Sequence, residues 1–578
     1  MNPQKNTSEM REALAELNPI FKRAALMSVF ASLFVLAPSA YMLEVYDRVV
    51  NSRSHMTLAM LTLMVLLVYV VMEVLEWARG QVMHQASVAL DRQMTGRIFD
   101  AIFAANLKRQ AGGTAQPMND FRTVREFLNN PVLVACMEAP VSILFLLLIF
   151  AMSPVLGWTT VAAALLQTLV AWLNQRGTQP PLLAANRSAI GAQQYADGSL
   201  RNAQVIESMG MLRDIHRRWM EKQQEFLNLQ AKASDAGGLF QAAGKFLQNV
   251  TSSALLGLGA WLMLRNELNG GSGMMIIGSV LGGRVLAPLV QIVSQWQAVV
   301  NVRDAWSRLD QMLTSSQVGS PAMALPPPSG SLAVEAVVAV APGSQAPILK
   351  GLTFALQNGE VLAVVGPSAS GKTTLARLLA GVWPASSGKV RLDGADVYTW
   401  NKAELGPYVG YLPQGVELFE GTLADNIARF GEVDREKVEA AARAVGLHEM
   451  IMALPQGYDN PVGREGSMLS GGQRQRVGLA RAIYGAPVFV VLDEPNSSLD
   501  ESGDAALASA ILQLKSRGTT FVVMTHRTSV LAVADKMLIL QDGQSRAFGP
   551  RDEVLAALAK AGSAQANPVA AAAPVVAA

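Results

Sequence analysis

The chain has one cysteine, Cys136, in 578 residues. That excludes an intramolecular disulfide and a cysteine-cluster metal site, and it leaves the redox compartment unread. Charge is scarce as well. Only 16% of the residues are Asp, Glu, Lys or Arg, against roughly 25% in soluble proteins. Neither sign is in excess, with 47 basic and 45 acidic residues and a net charge of +2. A nucleic-acid binder would show a basic surplus or stripe, so no nucleic-acid partner is expected. The five histidines form no HExxH pair, which argues against a zinc hydrolase. What is abundant is apolar surface, 51% of the chain. A chain this long and this apolar is neither disordered nor a wholly soluble enzyme. It is expected to be a membrane protein carrying a soluble part.

The apolar runs lie before residue 301. A bilayer core of about 30 Å needs about 20 apolar residues in a helix. Residues 24–46 and 56–74 meet that need. Residues 139–175 hold no charge at all, too long a stretch for one span, and Ser153-Pro154 interrupts it. The expectation is a tight helical hairpin, 131–152 and 155–173. Residues 246–264 give a fifth candidate, and 274–300 a sixth with Arg284 inside it. Lys22-Arg23, the apolar run and Ala37-Pro-Ser-Ala40 also resemble a cleavable signal peptide. The polar lead of about twenty residues is unusual for one, and the helical pattern continues through Tyr41-Met-Leu, so the segment is read as a retained span.

The cationic flanks Lys22, Arg23, Arg79, Arg122, Arg125, Arg176, Arg187, Lys245, Arg303 and Arg308 outnumber those of the proposed outer loops 47–55, 153–154 and 265–273. This places the N-terminal segment 1–23 in the cytoplasm. Residues 24–313 are then a six-helix transmembrane domain, with helices extended far into the cytoplasm over 76–130 and 174–245. Apolar periodicity at 90–107 and 203–229 supports those extensions, and their tips are expected at 115–121 and 195–205. Charged groups inside spans are costly and often functional. Glu138 and Arg284 are therefore candidates for lining a translocation path, with Glu44 nearer the outer end. Snorkelling or interhelical pairing explains them equally well.

Residues 314–330 read as a Ser/Pro/Gly linker. From 331 to 556, β-branched runs alternate with helical patterns, as in an α/β domain. The tail 557–578 is Ala/Pro/Val-rich and expected to be disordered. Within the α/β part, Gly366-Pro367-Ser368-Ala369-Ser370-Gly371-Lys372-Thr373 fits GxxxxGK[ST] between a strand pattern, 360–365, and a helical one, 374–380. Glycine-rich backbone can wrap phosphate oxygens, with the helix N-terminus adding its positive end. Lys372 should reach the β/γ-phosphates and Thr373 should bind Mg²⁺. The apolar strand 488–492 ends in Asp493, then Glu494. A carboxylate at a buried strand tip is costly unless it meets a cation, so Asp493 could hold Mg²⁺ and Glu494 could polarise the attacking water. Ser470, Gly471, Gly472 and Gln473 open a second helix, 474–484, and form another anion-binding end. Gln414 supplies a neutral acceptor that could switch on and off Mg²⁺. His526, following the strand 520–525, could hydrogen-bond a γ-phosphate. Singly, a Gln or a His is more often structural; their order and spacing make the set specific.

Together these residues resemble the ATP-binding cassette superfamily. Residues 366–374, including Thr374, look like its Walker A motif, and Gln414 its Q-loop. Leu469–Gln473 looks like the signature, 488–494 like Walker B, Ser498-Leu-Asp500 like the D-loop and His526 like the switch histidine. Six spans ahead of one such domain resemble the half-transporter form of exporters. That form implies a homodimer, with each ATP held between one chain's phosphate loop and the other's Ser470–Gln473, and with Asp500 beside it. The segment Tyr41-Met-Leu-Glu-Val-Tyr-Asp47-Arg48-Val-Val-Asn-Ser52-Arg53-Ser54 and Gly283-Arg284-Val-Leu-Ala-Pro288-Leu are similar to type I secretion permease/ATPases. About twenty residues precede the first span, so the likeness is to the protease/lipase-exporter branch without an N-terminal peptidase domain. The resemblance implies a bacterial inner-membrane, ATP- and Mg²⁺-dependent exporter of an unfolded protein bearing a C-terminal signal. It also implies two partners, a periplasmic membrane-fusion adaptor and an outer-membrane tunnel. An exporter of lipid, drug or peptide is the nearest alternative. A nucleotide-gated regulator without turnover is a further one, disfavoured by the intact Lys372, Asp493, Glu494 and His526. One departure stands out: the stretch 338–346, where cassette domains usually stack adenine on an aromatic, has none. Base stacking is worth about 1–3 kcal/mol in nucleic-acid complexes, so the base is expected to be held loosely or by an apolar contact.

Overall fold

The computed structural model describes residues 8–107, 116–265, 267, 273–316, 324–340 and 346–565. Its contacts fall into two compact units that meet in sequence between Gln317 and Val318. The first is wholly helical. Its longest helices are His55–Leu107, Pro154–Arg201 and Leu212–Leu264. At 1.5 Å per residue, a 53-residue helix such as His55–Leu107 runs for about 80 Å, far more than a bilayer core of about 30 Å.

Among the described residues, five helical segments are long and apolar enough to cross a membrane: Asn18–Glu44, His55–Leu107, Gln116–Met152, Pro154–Arg201 and Gly273–Ser294. The sequence suggested six. Residues 246–264 do form the last part of the helix Leu212–Leu264, but Gln248, Asn249, Thr251, Ser252 and Ser253 dilute its hydropathy below that of the other five. In His55–Leu107 only 6% of the most apolar window is buried. Uncovered apolar surface on that scale needs a lipid or protein cover.

Local chemistry explains the breaks. Asn130 accepts from the Val132 N–H at 3.0 Å, and Pro131 opens the helix Pro131–Met152. Ser153 is extended, and Pro154 opens the next helix. Proline suits a first helical turn, where its missing N–H costs nothing, so the expected hairpin forms. The first span is not one helix over 24–46. It breaks at Val35-Leu36, and Ala37–Glu44 restarts it with Pro38 in its first turn. Nor is 47–55 an open loop: the wide turn Val45–Val49 and Val50–Ser52 continue the helix until Arg53, at φ +49°. The tips also differ from expectation. Ala115 lies outside the described residues, while Gln116–Phe127 is already helical. The second tip overlaps only the end of 195–205: the long helix runs on to Arg201, and the turn is made by Ala203–Ser208 and Gly210 at φ +66°, so the 203–229 pattern is cut in two.

Close packing between Leu212–Leu264 and Gly273–Ser294 depends on small residues. A Cβ on Gly282 would overlap the Leu255 side chain, and one on Gly259 would overlap Met275. Glycine permits that approach. Towards the end of the unit, Arg308 grips buried Asp120 with two bonds, Nε to Oδ2 at 2.8 Å and Nη2 to Oδ1 at 2.7 Å. Asp120 is only 3% exposed. Arg308→Met should therefore leave an uncompensated buried carboxylate and destabilise this unit by about 3–5 kcal/mol. Thermal unfolding in detergent would measure the loss, and adding Asp120→Asn should recover much of it.

The second unit holds two sheets. Strands β1 (Leu332–Val340), β2 (Pro347–Leu356), β4 (Ser387–Leu392) and β5 (Ala395–Asp396) form an antiparallel sheet in the order β2-β1-β4-β5. The other sheet has the order β10-β9-β3-β8-β7-β6. It comprises β3 (Val361–Val365), β6 (Val409–Leu412), β7 (Phe489–Asp493), β8 (Thr520–Met524), β9 (Lys536–Gln541) and β10 (Gln544–Pro550). From β9 to β6 all pairings are parallel. β3, β7 and β8 are almost wholly buried, as near-continuous apolar strands must be. In such sheets the functional crevice lies beyond the carboxyl ends of the strands. Two expected borders shift. Thr314 and Ser315 end the helix Trp296–Ser315 rather than opening a linker. The helix Arg551–Gln565 carries the fold past residue 557, and the rest of the expected disordered tail, 566–578, lies outside the described residues.

Candidate functional site

β3 runs straight into the loop Gly366–Gly371, and the helix Lys372–Leu379 comes next. Gly366 has no room for a side chain, because a Cβ would overlap the Leu540 carbonyl of β9. Gly371 sits at φ +103° and Ala369 at φ +64°, so the loop curls back over the helix start. Pro367, Ser368 and Ala369 are exposed at its crest, whereas Ser370 is buried with its hydroxyl unpaired. Lys372 bends along the loop and donates to the carbonyls of Gly366 at 2.6 Å and Pro367 at 3.1 Å. Burial lowers its pKa from the ordinary lysine value, while the nearby carboxylates of Glu494 and Asp493 oppose that shift. Thr373 is half-buried and Thr374 buried just beyond.

At the end of β7, Asp493 is fully buried. Neither carboxylate oxygen has a well-formed hydrogen bond. Burial raises its pKa; the Thr373 hydroxyl works against the rise and Glu494 adds to it. An orphaned carboxylate beside a threonine hydroxyl and a phosphate-type loop is the donor set of a hard cation such as Mg²⁺. The raised pKa means that Asp493 carries no ionisation penalty below the ordinary carboxylate range. The penalty builds as pH rises above the ordinary carboxylate value, where the unfolded chain ionises first, and is full once pH has passed the raised one. Asp493→Asn should thus stabilise the nucleotide-free protein at pH 7 by about 1 kcal/mol, with the gain shrinking towards about pH 4. Unfolding temperature against pH would show it.

Glu494 stands in a left-handed turn at φ +50°, pinned by its N–H to the Met524 carbonyl at 3.0 Å. Gln414 donates from Nε2 to its Oε2 at 3.0 Å. So the structure brings the loop, Lys372, Thr373, Gln414, Asp493 and Glu494 together at the ends of β3, β6 and β7. His526 comes just after β8 and is exposed, with no hydrogen bond or ion pair among the described residues.

The other anion-binding end is well formed. Ser470 caps the helix Gly471–Ile483: its hydroxyl accepts from the Gln473 N–H at 3.3 Å, and its own N–H donates to the Gln473 side chain at 2.8 Å. Asp500 caps Glu501–Lys515, accepting from the Gly503 N–H at 2.9 Å and from Arg476 at 2.6 Å. That backbone bond and its companions hold its carboxyl below the usual range. Ser470, Gly472, Gln473, Arg476, Ser498 and Asp500 line one cleft. No hydrogen bond or ion pair among the described residues joins this cleft to the loop Gly366–Gly371. From the helix Gly471–Ile483, Gln475 donates to the backbone carbonyls of Pro495 at 3.0 Å and Glu494 at 3.5 Å.

Sequence reasoning missed a chain of side chains beside His526. Buried Asn496 donates to Asp504 at 2.6 Å, and Arg527 reaches the other Asp504 oxygen at 3.1 Å. It also missed Arg79, read as a flank, which pairs with Glu138 at 2.8 Å. Glu138 and Arg284 do line one cavity. Of the stretch 338–346, Val338–Val340 lie in β1 and 341–345 fall outside the described residues.

The ABC transporter family model matches residues 349–497, and that of the ABC transporter transmembrane region matches 23–284. The type I secretion system ATP-binding protein PrsD of Rhizobium meliloti (strain 1021) is 40% identical over 545 residues, covering 94% of this chain and 93% of that protein. The chain belongs to the type I secretion ABC transporters. The toxin RTX-I translocation ATP-binding protein of Actinobacillus pleuropneumoniae is 27% identical to this type I secretion transporter, over 94% of it and 77% of the relative. A bacterial Atm1-family ABC exporter with ATP bound has the same fold, with a TM-score of 0.83 at 22% identity over 97% of this chain and all of that one. This type I secretion transporter is thus a multi-pass membrane ATPase coupled to transport, a helical transmembrane region fused to an α/β ATP-binding domain.

Proposed function

We propose that the transporter is the inner-membrane engine of a type I protein secretion system, a homodimer with six spans per chain. It moves an unfolded protein bearing an uncleaved C-terminal signal through a periplasmic adaptor and an outer-membrane tunnel. Relatives named for type I secretion and toxin translocation support a protein cargo. The observation that carries the enzymatic half is Glu494, locked by its backbone and by Gln414 beside a buried, orphaned Asp493.

In this reading the loop N–H groups and Lys372 hold the β- and γ-phosphates. Lys372 gives up the Gly366 and Pro367 carbonyls for phosphate oxygens, a trade of neutral acceptors for charged ones. Glu494 orients and polarises the attacking water, and His526, exposed and unengaged, steadies the γ-phosphate. Thr373, Gln414 and Asp493 would hold Mg²⁺, which supplies neutralisation of phosphate charge when bound. The Ser470–Gln473 end of a second copy completes the site. Closure of the pair then shifts the membrane helices, because ATP makes more contacts in the closed state than in the open one.

A secretion assay with and without the gene tests the cargo class. One or more extracellular proteins should disappear from the medium on deletion and return on complementation, while Lys372→Ala should fail to restore them. An unchanged set of secreted proteins would direct attention to a lipid, drug or peptide cargo.

A further inference from the structure

A second built site lies in the membrane unit. The helices Asn18–Phe34, His55–Leu107, Pro131–Met152 and Gly273–Ser294 line an open cavity of about 360 Å³, with Arg284 exposed on its wall. Three charged side chains line it: Arg79, Glu138 and Arg284. Counted along their helices at 1.5 Å per residue, Glu138 lies about 21 Å and Arg284 about 16 Å from the hairpin-side ends. Both depths fall within a hydrocarbon core of about 30 Å. Charge at such depth is expensive and needs a partner.

Arg79 and Glu138 satisfy one another: Nη1 donates to Oε1 at 2.8 Å, with the arginine side chain only 12% exposed. Arg284 has no hydrogen bond or ion pair among the described residues. The cavity therefore holds one uncompensated positive charge. Asn129, Ser142 and Gln291 add neutral hydrogen-bonding groups to its wall. Asn129 lies just before the helix Pro131–Met152, on the side that the cationic flanks assign to the cytoplasm.

We propose that this cavity is a carboxylate-binding subsite for the polypeptide in transit. Resting on the protein-export reading, it assigns Arg284 the role of meeting an acidic side chain. The Arg79–Glu138 pair holds the wall in shape and leaves that single cation unpaired. The volume suits the choice. It lies at the small end of the roughly 300–1,000 Å³ of ligand pockets, room for a side chain rather than a two-tailed lipid. A guanidinium also matches a carboxylate with two parallel bonds.

The test uses the full-length transporter, nucleotide-free, in phosphatidylcholine nanodiscs. The probes are a fluorescein-labelled Gly/Ser peptide carrying four glutamates and its glutamine counterpart, both read by anisotropy. Wild type should bind the glutamate peptide about tenfold more tightly than the glutamine one. Arg284→Gln should remove that preference, and Arg284→Lys should keep part of it. Equal binding of the two peptides by wild type overturns the proposal without any variant, as does a preference that survives Arg284→Gln. Native mass spectrometry adds a further arm. If wild type retains phosphatidylglycerol that Arg284→Gln sheds, while the peptides are not discriminated, the cation serves a lipid headgroup and the proposal falls. A charge preference in a transporter that secretes nothing sinks the export reading alone. Its absence in one that secretes normally sinks this subsite alone.

Discussion

Glu494→Gln should lower ATP turnover by about three orders of magnitude, within the range for removing a positioned general base, and leave ATP binding equal or tighter. The reason is local. Glu494 sits in a backbone turn fixed by Met524, and its Oε2 accepts from Gln414. The amide fills the same volume and can still accept from Gln414 through its oxygen, so the site keeps its shape. What disappears is the negative charge that polarises water, and with it some repulsion towards the triphosphate. Arrested hydrolysis with intact binding should trap the closed pair. ATP should then shift the variant, but not wild type at steady state, to a more compact form in crosslinking or light scattering. Hydrolysis at the normal rate in this variant would remove Glu494 from the reaction and leave the base to be sought elsewhere.

Features written in consecutive residues were legible in the sequence, and features made by long-range contacts were not. Asn130-Pro131 and Ser153-Pro154 punctuate the hairpin so firmly that both helix ends fall where the residues put them. The phosphate loop is equally local, since its glycines answer to backbone geometry and to the Leu540 carbonyl just behind Gly366. By contrast, the break before Ala37–Glu44 was hidden. Pro38 is compatible with either a kink or a fresh helix start, and hydropathy does not distinguish them. Arg79 looked like a topological flank until packing set it against Glu138, 59 positions away in the chain. Asp504 carried no signal in the sequence; only its burial between Asn496 and Arg527 makes it the link to the residue after His526. The tail misled for a compositional reason. Its alanines are as good for helix as for low complexity, and the helix Arg551–Gln565 takes up the first of them.

Mixing two inactive variants should restore activity, and this result bears most directly on the homodimer. Lys372→Ala removes the cation that bends along the phosphate loop. Ser470→Asp attacks the other end differently. Aspartate is as good an N-cap as serine, so the helix Gly471–Ile483 keeps its start, while the new carboxylate repels a triphosphate. Each variant alone spoils both sites of a symmetric pair and should hydrolyse at background. In a mixed pair both defects fall in one site, and the other site combines an intact loop from one chain with an intact signature end from its mate. With random pairing of equal amounts, half the dimers are mixed and each carries one good site, so about a quarter of wild-type activity should return if the sites act independently. Phosphate release from the unselected co-expressed mixture reads this directly, and tandem-tagged pairs purified from it, all of them mixed, should reach about half of wild-type activity. The physical basis is that the two anion-binding ends of a single chain share no hydrogen bond or ion pair among the described residues, and the signature end lines a cleft that includes no residue of the phosphate loop. In the proposed homodimer, a ligand that needs both draws them from two chains. If the mixture stays at background while wild type prepared in the same way is active, each chain works alone, and the composite site, with the closure it is meant to drive, is wrong.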